Sequence, residues 1–224
     1  MTDKIVNFYN YVSNKHKLKF PDGYKNHHIK PNSRIGLIGA SGTGKSNCLL
    51  NFLSRSSGDF YEVIICSFST IDEPLYKMIK EKNPQIEFID DPLDIPDLDE
   101  FDDKHKEKNK LIVFDDFIHL GKKQMEPIVK YFIASRKYGF TCFALSQDFT
   151  SLPKVIARNI NYYMLFKIND NISLNHIIRT HNISHIGKER LNSIYRHITE
   201  TPFNFLLLDL RDNNIRRNFL EYIN

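Results

Sequence analysis

The sequence lacks most features of a secreted or membrane-embedded protein. It has only three cysteines, Cys48, Cys66 and Cys142, which lie in apolar segments without C-x-x-C spacing. This usage disfavours a disulfide framework and predicts small core residues in a reduced compartment. No apolar run approaches about 18 residues, and the first residues form neither an apolar core nor a small-residue cleavage site. We therefore expect a soluble, unprocessed, cytoplasmic protein without a membrane segment.

The chain also lacks a strong excess of charge of either sign. Its 31 lysines and arginines against 27 acidic residues give a net charge of +4. Such an excess suits an anionic partner, but it is common in proteins that never bind nucleic acid. Several basic residues cluster in the last quarter, where DNA-phosphate contacts are plausible and a solvated basic face is the more frequent explanation. They are Arg179, Lys188, Arg190, Arg196, Arg211, Arg216 and Arg217.

The length of 224 residues favours one α/β domain over two. Residues 1–14 have Ile5, Phe8, Tyr9 and Val12 at helix-like spacing, which predicts a short amphipathic helix that packs on the main domain. The rest of residues 1–30 is interpreted as a basic, turn-rich surface connector. Residues 31–224 are assigned to the main domain. The adjacent His27 and His28 cannot both face one metal from a regular element, so neither receives a ligand role.

Residues 34–53 combine a short apolar strand, a glycine-rich loop and an apolar helix. Gly39, Gly44, Lys45 and Ser46 fill the pattern G-x-x-x-x-G-K-[ST]. Glycines let the backbone N–H groups turn around phosphate oxygens, and the helix starting near Gly44 directs its positive end at the same anion. Lys45 then supplies charge to the β- and γ-phosphates, and Ser46 a hydroxyl ligand for Mg²⁺. The flanking strand and helix disfavour a chance glycine-rich turn. The predicted ATP-binding residues are Gly39, Ala40, Ser41, Gly42, Thr43, Gly44, Lys45, Ser46 and Asn47.

The remaining chain alternates apolar strands with helical segments. Strands are predicted over 61–68, 86–89, 110–116, 140–147 and 162–167, and helices over 73–82, 122–137, 170–179 and 188–199. Continuous apolarity suits strands buried on both faces of a parallel sheet. A strand, a turn and a short returning strand follow over 202–217. Residues 90–108, first acidic and then rich in lysine, are interpreted as a surface excursion of low order.

Asp115 and Asp116 follow an apolar strand downstream of the phosphate loop. This is the Walker B pattern, in which the first carboxylate binds Mg²⁺, usually through water, and Asp115 takes that role. Asp116 points the other way along the strand edge, where a carboxylate can orient the water that attacks the γ-phosphate. An ordinary strand exit is the alternative, which the complete phosphate loop upstream disfavours.

The strand over 140–147 ends in the polar pair Ser146-Gln147. In P-loop proteins with an added strand between the phosphate-loop and Walker B strands, a polar side chain at its end senses the γ-phosphate. Gln147 is placed for that role, and a simple strand cap is the alternative. The predicted fold is therefore an α/β P-loop NTPase whose mostly parallel sheet, flanked by helices, contains this added strand.

These segments together resemble the FtsK–HerA superfamily of DNA-pumping ATPases. The resemblance rests on residues 39–46, the Asp115-Asp116 pair, and residues 135–137 leading through a strand to Ser146-Gln147. Residues 152–159 and the strand after them resemble the genome-packaging ATPases of poxviruses, other large nucleocytoplasmic DNA viruses and virophages. The similarity spans roughly residues 30 to 210. One departure is Asp116, where the superfamily often has glutamate.

The resemblance implies a motor that hydrolyses ATP with Mg²⁺ and drives double-stranded DNA into a capsid. The implied partners are double-stranded DNA, a capsid or portal component and further copies in a homo-oligomeric ring, in the host cytoplasm, a virus factory or the virion. The family also uses an arginine supplied across a subunit interface, for which Arg158 is slightly favoured over Arg136. A surface or DNA-phosphate contact is the alternative for either arginine. The predicted catalytic residues are thus Lys45, Asp116, Gln147, and Arg158 or Arg136.

Two other functions share the phosphate loop. A nucleoside or nucleotide kinase needs an arginine-bearing lid, for which the sequence has no signature. A DNA-associated scaffold subunit would bind nucleotide without turnover, which the Asp115-Asp116 pair and Gln147 disfavour. His181 and His185 lie four residues apart without a third histidine or a carboxylate, so a metal site there is also disfavoured.

Overall fold

The computed structural model describes most of the chain as one sheet with helices on both faces. The described residues are 6, 8–11, 19–68, 74–101, 108–169, 171–180 and 186–223. Their strands are β1 (Arg34–Ile38), β2 (Glu62–Ser67), β3 (Glu87–Ile89), β4 (Lys110–Asp115), β5 (Phe140–Ser146), β6 (Tyr162–Leu165), β7 (Leu206–Asp209), β8 (Asn214–Arg217) and β9 (Glu221–Ile223). The sheet order is β3-β2-β4-β5-β1-β6-β7-β8-β9. Strands β1 to β6 are parallel and β7 to β9 join antiparallel, which confirms the mostly parallel α/β fold.

Strand β5 lies between β1, which leads into the glycine-rich loop, and β4, which ends in Asp115. Leu37 of β1 pairs with Leu145, and Phe114 of β4 pairs with Ala144. Every residue of β5 is buried, as expected for a central strand covered on both faces. The carboxyl ends of these three strands consequently meet at one edge of the sheet.

Six helices of the described residues cover the two faces. They are α1 (Lys45–Arg55), α2 (Pro74–Lys82), α3 (Lys122–Ala134), α4 (Lys154–Asn159), α5 (Asn171–Thr180) and α6 (Lys188–Glu200). Strand alternation divides the core, because Ile35 and Leu37 pack with α1 and α2 while Ile38 packs with α3 to α6. The three cysteines are buried and free, as predicted. None of the described helices combines the length and apolarity needed to cross a bilayer.

Residues 27–33 pack into the domain, whereas the sequence predicted a surface connector. His27 and Ile29 are each 2% exposed, and the His27 ring centre lies 4.8 Å from that of Phe52 on α1. The N–H of Ile29 donates to Nδ1 of His27 at 2.9 Å. The packed domain therefore begins before residue 31. The burial of this segment could not be recognised from its basic composition, because buried positions alternate with polar ones.

Phe8–Tyr11 form a short 3-10 helix within the stretch predicted as an amphipathic helix. Phe8 is 75% exposed, so this side chain does not pack on the domain, contrary to the prediction. The other apolar positions of that stretch, Ile5, Tyr9 and Val12, are not described at the side-chain level.

The acidic stretch is ordered over residues 90–101, contrary to the prediction. It forms two 3-10 turns, Pro92–Asp94 and Leu98–Glu100, each of which begins with an aspartate side chain that accepts a backbone N–H. Ile95 and Leu98 are buried in the core. Aspartates that seemed to signal a solvated run therefore cap turns that direct apolar residues inward. Residues 102–107 lie outside the described part.

Two arginines of the basic cluster make hydrogen bonds or ion pairs within the fold. Arg216 is fully buried and forms an ion pair with Asp209 at 3.4 Å. Its guanidinium also donates to the carbonyl oxygens of His27 at 3.1 Å and Phe219 at 2.7 Å. Arg211 donates to Oγ of Ser33 at 2.9 Å. These contacts join the β7–β8 hairpin to the segment before β1.

Acid is expected to destabilise the fold through His27. Burial, helped by nearby cationic groups, lowers the pKa of His27 from 6.5 to about 4. The unfolded chain therefore binds the proton more tightly, so this stability is present above pH 6.5 and is lost as the pH falls towards 4. These pKa values predict a decrease of about 2 kcal/mol in the free energy of unfolding between pH 7.5 and pH 5. Urea unfolding at both pH values measures it.

His27→Asn removes the titrating ring and is expected to lose most of this pH dependence. His119→Asn is the matched control, because that ring is exposed and lies outside the buried segment around His27. An unchanged pH dependence in His27→Asn would contradict the assignment.

Candidate active site

The glycines of the loop between β1 and α1 are required by backbone conformation or by close approach. The φ angles of Gly42 and Gly44 are 74° and 108°. A Cβ at Gly39 would lie 2.5 Å from Cβ of Phe166, and one at Gly44 would lie 2.8 Å from Cδ1 of Phe203. The loop can therefore curl back on itself at the start of α1, which a chain with larger residues could not do.

Hydrogen bonds anchor this loop to the sheet edge. The N–H of Gly39 donates to the carbonyl oxygen of Ser146 at 3.1 Å, and that of Ala40 donates to the carbonyl oxygen of Lys167 at 2.9 Å. Hydroxyl Oγ1 of Thr43 donates to the Ala40 oxygen at 2.7 Å. Nζ of Lys45 donates to the carbonyl oxygens of Gly39 at 2.6 Å and Ala40 at 3.1 Å. The ammonium charge and the positive end of α1 therefore share one space, which favours an anion.

Asp115 ends β4 at the same edge, and its carboxylate is held by a tyrosine. The hydroxyl of Tyr76 on α2 donates to Oδ2 of Asp115 at 2.6 Å. Tyr76 is only 6% exposed. Sequence reasoning missed this residue, since an apolar-face tyrosine of an amphipathic helix gives no signal for such a contact. The hydrogen bond restricts the orientation of the carboxylate.

Asp116 lies in the same cleft as Asp115 because its backbone leaves the strand conformation. Regular alternation would send the two side chains to opposite faces, as the sequence analysis assumed. The φ of Asp116 is 53°, in the left-handed region that aspartate tolerates better than most residues. Both carboxylates consequently line one cleft.

Gln147 is exposed directly after β5, on a turn organised by Asp148. The carboxylate of Asp148 accepts hydrogen bonds from Oγ1 of Thr150 at 2.8 Å and from N and Oγ of Ser151 at 2.7 and 2.6 Å. Burial opposes ionisation, but these hydrogen bonds keep the pKa of Asp148 below its ordinary value. Asp148 was not among the residues predicted from the sequence, although an aspartate two and three residues before Thr and Ser is a turn signal.

One cleft of about 640 Å³ brings the predicted groups together. A cleft of this size suits a nucleotide-sized ligand. The predicted residues that line it are Ser41, Gly42, Gly44, Lys45, Ser46, Asn47, Asp115, Asp116 and Gln147. Gly39, Ala40 and Thr43 shape the loop.

The oxygen donors of this cleft fit Mg²⁺. The hydroxyl of Ser46 and the carboxylate of Asp115 both line it, and Mg²⁺ is typically held by one or two such groups together with substrate phosphates. In the described part of the chain, no group of three or more His, Cys, Asp or Glu residues is arranged to hold a metal. His181 and His185 lie outside the described residues.

Comparison with known proteins finds likeness at the level of structure. The chain matches no protein-family model and no curated protein sequence. The DNA-packaging ATPase B204 of Sulfolobus turreted icosahedral virus matches 85% of this chain and 98% of its own, with a TM-score of 0.58 at 14% identity. B204 of Sulfolobus turreted icosahedral virus 2, in complex with sulfate, matches 86% and 100%, with a TM-score of 0.61 at 16% identity. EssC (ATPases 2 and 3) from Geobacillus thermodenitrificans matches 85% and 40%, with a TM-score of 0.58 at 10% identity.

The chain has a P-loop ATPase fold. Its structural neighbours include viral packaging ATPases and EssC domains, which agrees with the FtsK–HerA resemblance stated from the sequence. The central strands and the cleft at their carboxyl ends belong to this fold.

In this P-loop ATPase fold, Arg136 and Arg158 lie at the edge of the sheet opposite the cleft. Arg136 is in the turn that precedes β5, and Arg158 is at the end of α4, just before β6. Both strands run parallel to β1, so both arginines lie near amino ends, whereas the cleft lies at carboxyl ends. The seven residues of β5 alone span about 20 Å. Both side chains are exposed, and this distance separates them from the cleft of their own chain.

Proposed function

We propose that this protein is an ATPase that couples ATP hydrolysis to translocation of double-stranded DNA, and that it packages a viral genome into a capsid. The observation that carries the proposal is that Lys45, Asp115, Asp116 and Gln147 line the same cleft. A phosphate loop alone indicates binding, whereas two carboxylates and an amide beside it supply what hydrolysis requires.

The proposed hydrolysis is an in-line attack of water on the γ-phosphate. Lys45 and the N–H groups at the start of α1 bind the phosphates. Ser46 and Asp115 would hold Mg²⁺, which neutralises phosphate charge when bound. Asp116 orients the attacking water, and Gln147 contacts the γ-phosphate. An arginine from a neighbouring copy, Arg158 or Arg136, completes the charge stabilisation.

The packaging role is supported by the extent of the structural likeness. This chain covers nearly all of B204, which is described as a DNA-packaging ATPase, but only 40% of the EssC chain. The match thus extends over a whole small packaging ATPase, and in EssC over part of a larger chain. We infer accordingly a homo-oligomeric ring, a capsid or portal partner, and action in the host cytoplasm, a virus factory or the virion.

The experiment that tests this function measures phosphate release from ATP with and without double-stranded DNA. We expect ATP hydrolysis that requires Mg²⁺ and increases with double-stranded DNA. We also expect translocation along the duplex to displace a third strand bound to it. Lys45→Ala is expected to be inactive in both assays.

Two results would contradict the proposal. Phosphate transfer to a nucleoside from a panel of acceptors would indicate a kinase. ATP binding without turnover under any DNA or oligomerisation condition would indicate a nucleotide-binding scaffold.

A further inference from the structure

The cleft contains an aromatic side chain to which the mechanism above gives no role. Among the described residues that line the cleft, Phe203 carries the only aromatic ring. Phe203 is 61% exposed, and its φ of 66° lies in the left-handed region, which is unfavourable for a bulky residue. Strained, exposed residues of this kind persist where the surrounding structure holds them, often at ligand sites.

The loop around Phe203 is held by hydrogen bonds on both sides. The N–H of Asn204 donates to the carbonyl oxygen of Thr201 at 3.2 Å. The side chain of Asn218 accepts from the N–H of Phe205 at 3.1 Å and donates to Oδ1 of Asn204 at 3.0 Å. Phe205 is itself buried. These contacts fix Phe203 in place, with Cδ1 of its ring beside Gly44.

The strand order determines how a nucleoside triphosphate bound in the cleft is oriented. Asp115, Asp116 and Gln147 follow β4 and β5, which lie on one side of β1, so the γ-phosphate belongs on that side. Phe203 precedes β7, which lies on the other side of β1 beyond β6. A nucleotide with its γ-phosphate at the carboxylates therefore extends its base towards Phe203.

We propose that Phe203 is the platform on which the base of the bound nucleotide stacks. Stacking uses the π-face that every base presents, so this contact accepts the base of any nucleoside triphosphate and does not make the site specific for adenine. The inference rests on the proposed function, because it assumes that nucleotide binds in this cleft.

The first test compares nucleotide with a ligand that has no base. Binding of ATP, GTP and inorganic tripolyphosphate, each with Mg²⁺, is measured calorimetrically for the wild type and for Phe203→Asn. Asparagine removes the ring and tolerates the left-handed backbone, so strain is not increased. We expect affinity for ATP and for GTP to fall roughly tenfold to hundredfold, and affinity for tripolyphosphate to stay unchanged.

The second test uses the absence of tryptophan from the chain. Phe203→Trp introduces a single indole, whose fluorescence we expect ATP and GTP to quench and tripolyphosphate to leave unchanged. Phe20→Trp is the matched control, since Phe20 is 49% exposed and does not line the cleft. Its fluorescence should respond to none of the three ligands.

Four results would overturn the inference. Equal weakening of tripolyphosphate and ATP in Phe203→Asn would show that the ring supports the phosphate loop instead. Unchanged ATP affinity in Phe203→Asn, together with no quenching in Phe203→Trp, would show that the base of the nucleotide does not contact Phe203. A wild-type protein that binds tripolyphosphate and no nucleotide would refute the platform, whereas one that binds none of the three ligands would refute the proposed function as well.

Discussion

Arg158→Ala is expected to lower ATP hydrolysis by about 10³-fold or more while the subunit still binds ATP. An arginine that stabilises charge on the transferring phosphoryl group contributes about 10³- to 10⁵-fold to the rate. Arg158 is exposed and lies at the opposite edge of the sheet from its own cleft, so its removal leaves that cleft intact. The loss of hydrolysis is therefore expected at the cleft of the neighbouring subunit.

Mixing two kinds of inactive subunit tests directly whether Arg158 acts in the cleft of a neighbouring subunit. Lys45→Ala subunits lack a working phosphate loop but retain Arg158, and Arg158→Ala subunits have the reverse defect. In a randomly mixed ring at equal ratio, about a quarter of the sites combine an intact cleft with an intact neighbouring arginine. Hydrolysis should thus reappear in a mixture of two inactive proteins.

Arg136→Ala is the matched control, because Arg136 is also exposed at the same edge of the sheet. If mixtures with Lys45→Ala subunits regain hydrolysis for Arg136→Ala and not for Arg158→Ala, Arg136 is the arginine that acts in the neighbouring cleft. If neither variant loses activity alone, or neither regains it in mixtures, the trans arginine is refuted.

Asp116→Asn is expected to lower hydrolysis by about 10²- to 10⁴-fold, the range for loss of a positioned general base. Asparagine has nearly the same shape and tolerates the φ of 53° at this position, so the backbone should be preserved. ATP affinity should change little, because the proposed role of Asp116 is in the chemical step. Single-turnover hydrolysis with bound ATP separates that step from binding and product release.

Asp116→Glu tests the departure from the superfamily pattern. Glutamate keeps the charge but is less tolerant of the left-handed backbone, so we expect partial activity. Glu126→Gln, an exposed acid on α3, is the control and should retain full activity. Wild-type turnover in Asp116→Asn would exclude this carboxylate as the base.

The parts of the fold that were predicted correctly are those with a local pattern. Strands such as β4 and β5 are continuous apolar runs, and α3 has apolar residues at helical spacing, with Gly139 at a φ of 79° ending the turn that follows it. The wrong predictions concern segments whose buried residues are isolated in the sequence. His27 in the basic segment and Leu98 in the acidic stretch are buried because the turns around them direct their side chains inward.

The residues of the candidate site also differ in whether a local sequence pattern predicts them. The phosphate-loop residues and Asp115 are recognisable because their roles follow from a strand, a loop and a helix that are contiguous in the chain. Tyr76, which contacts Asp115, and Phe203, which lines the cleft, gave no signal, since each belongs to an element distant in sequence.

The sequence by itself determined that a phosphate-binding loop, a strand ending in two carboxylates and a strand ending in glutamine are present, because each is a local pattern of residue types. Only the tertiary structure decided that β5 lies between β1 and β4, that the backbone at Asp116 brings both carboxylates into one cleft, and that Arg136 and Arg158 lie at the far edge. These features depend on strand order and on packing between distant segments, which local residue patterns do not encode.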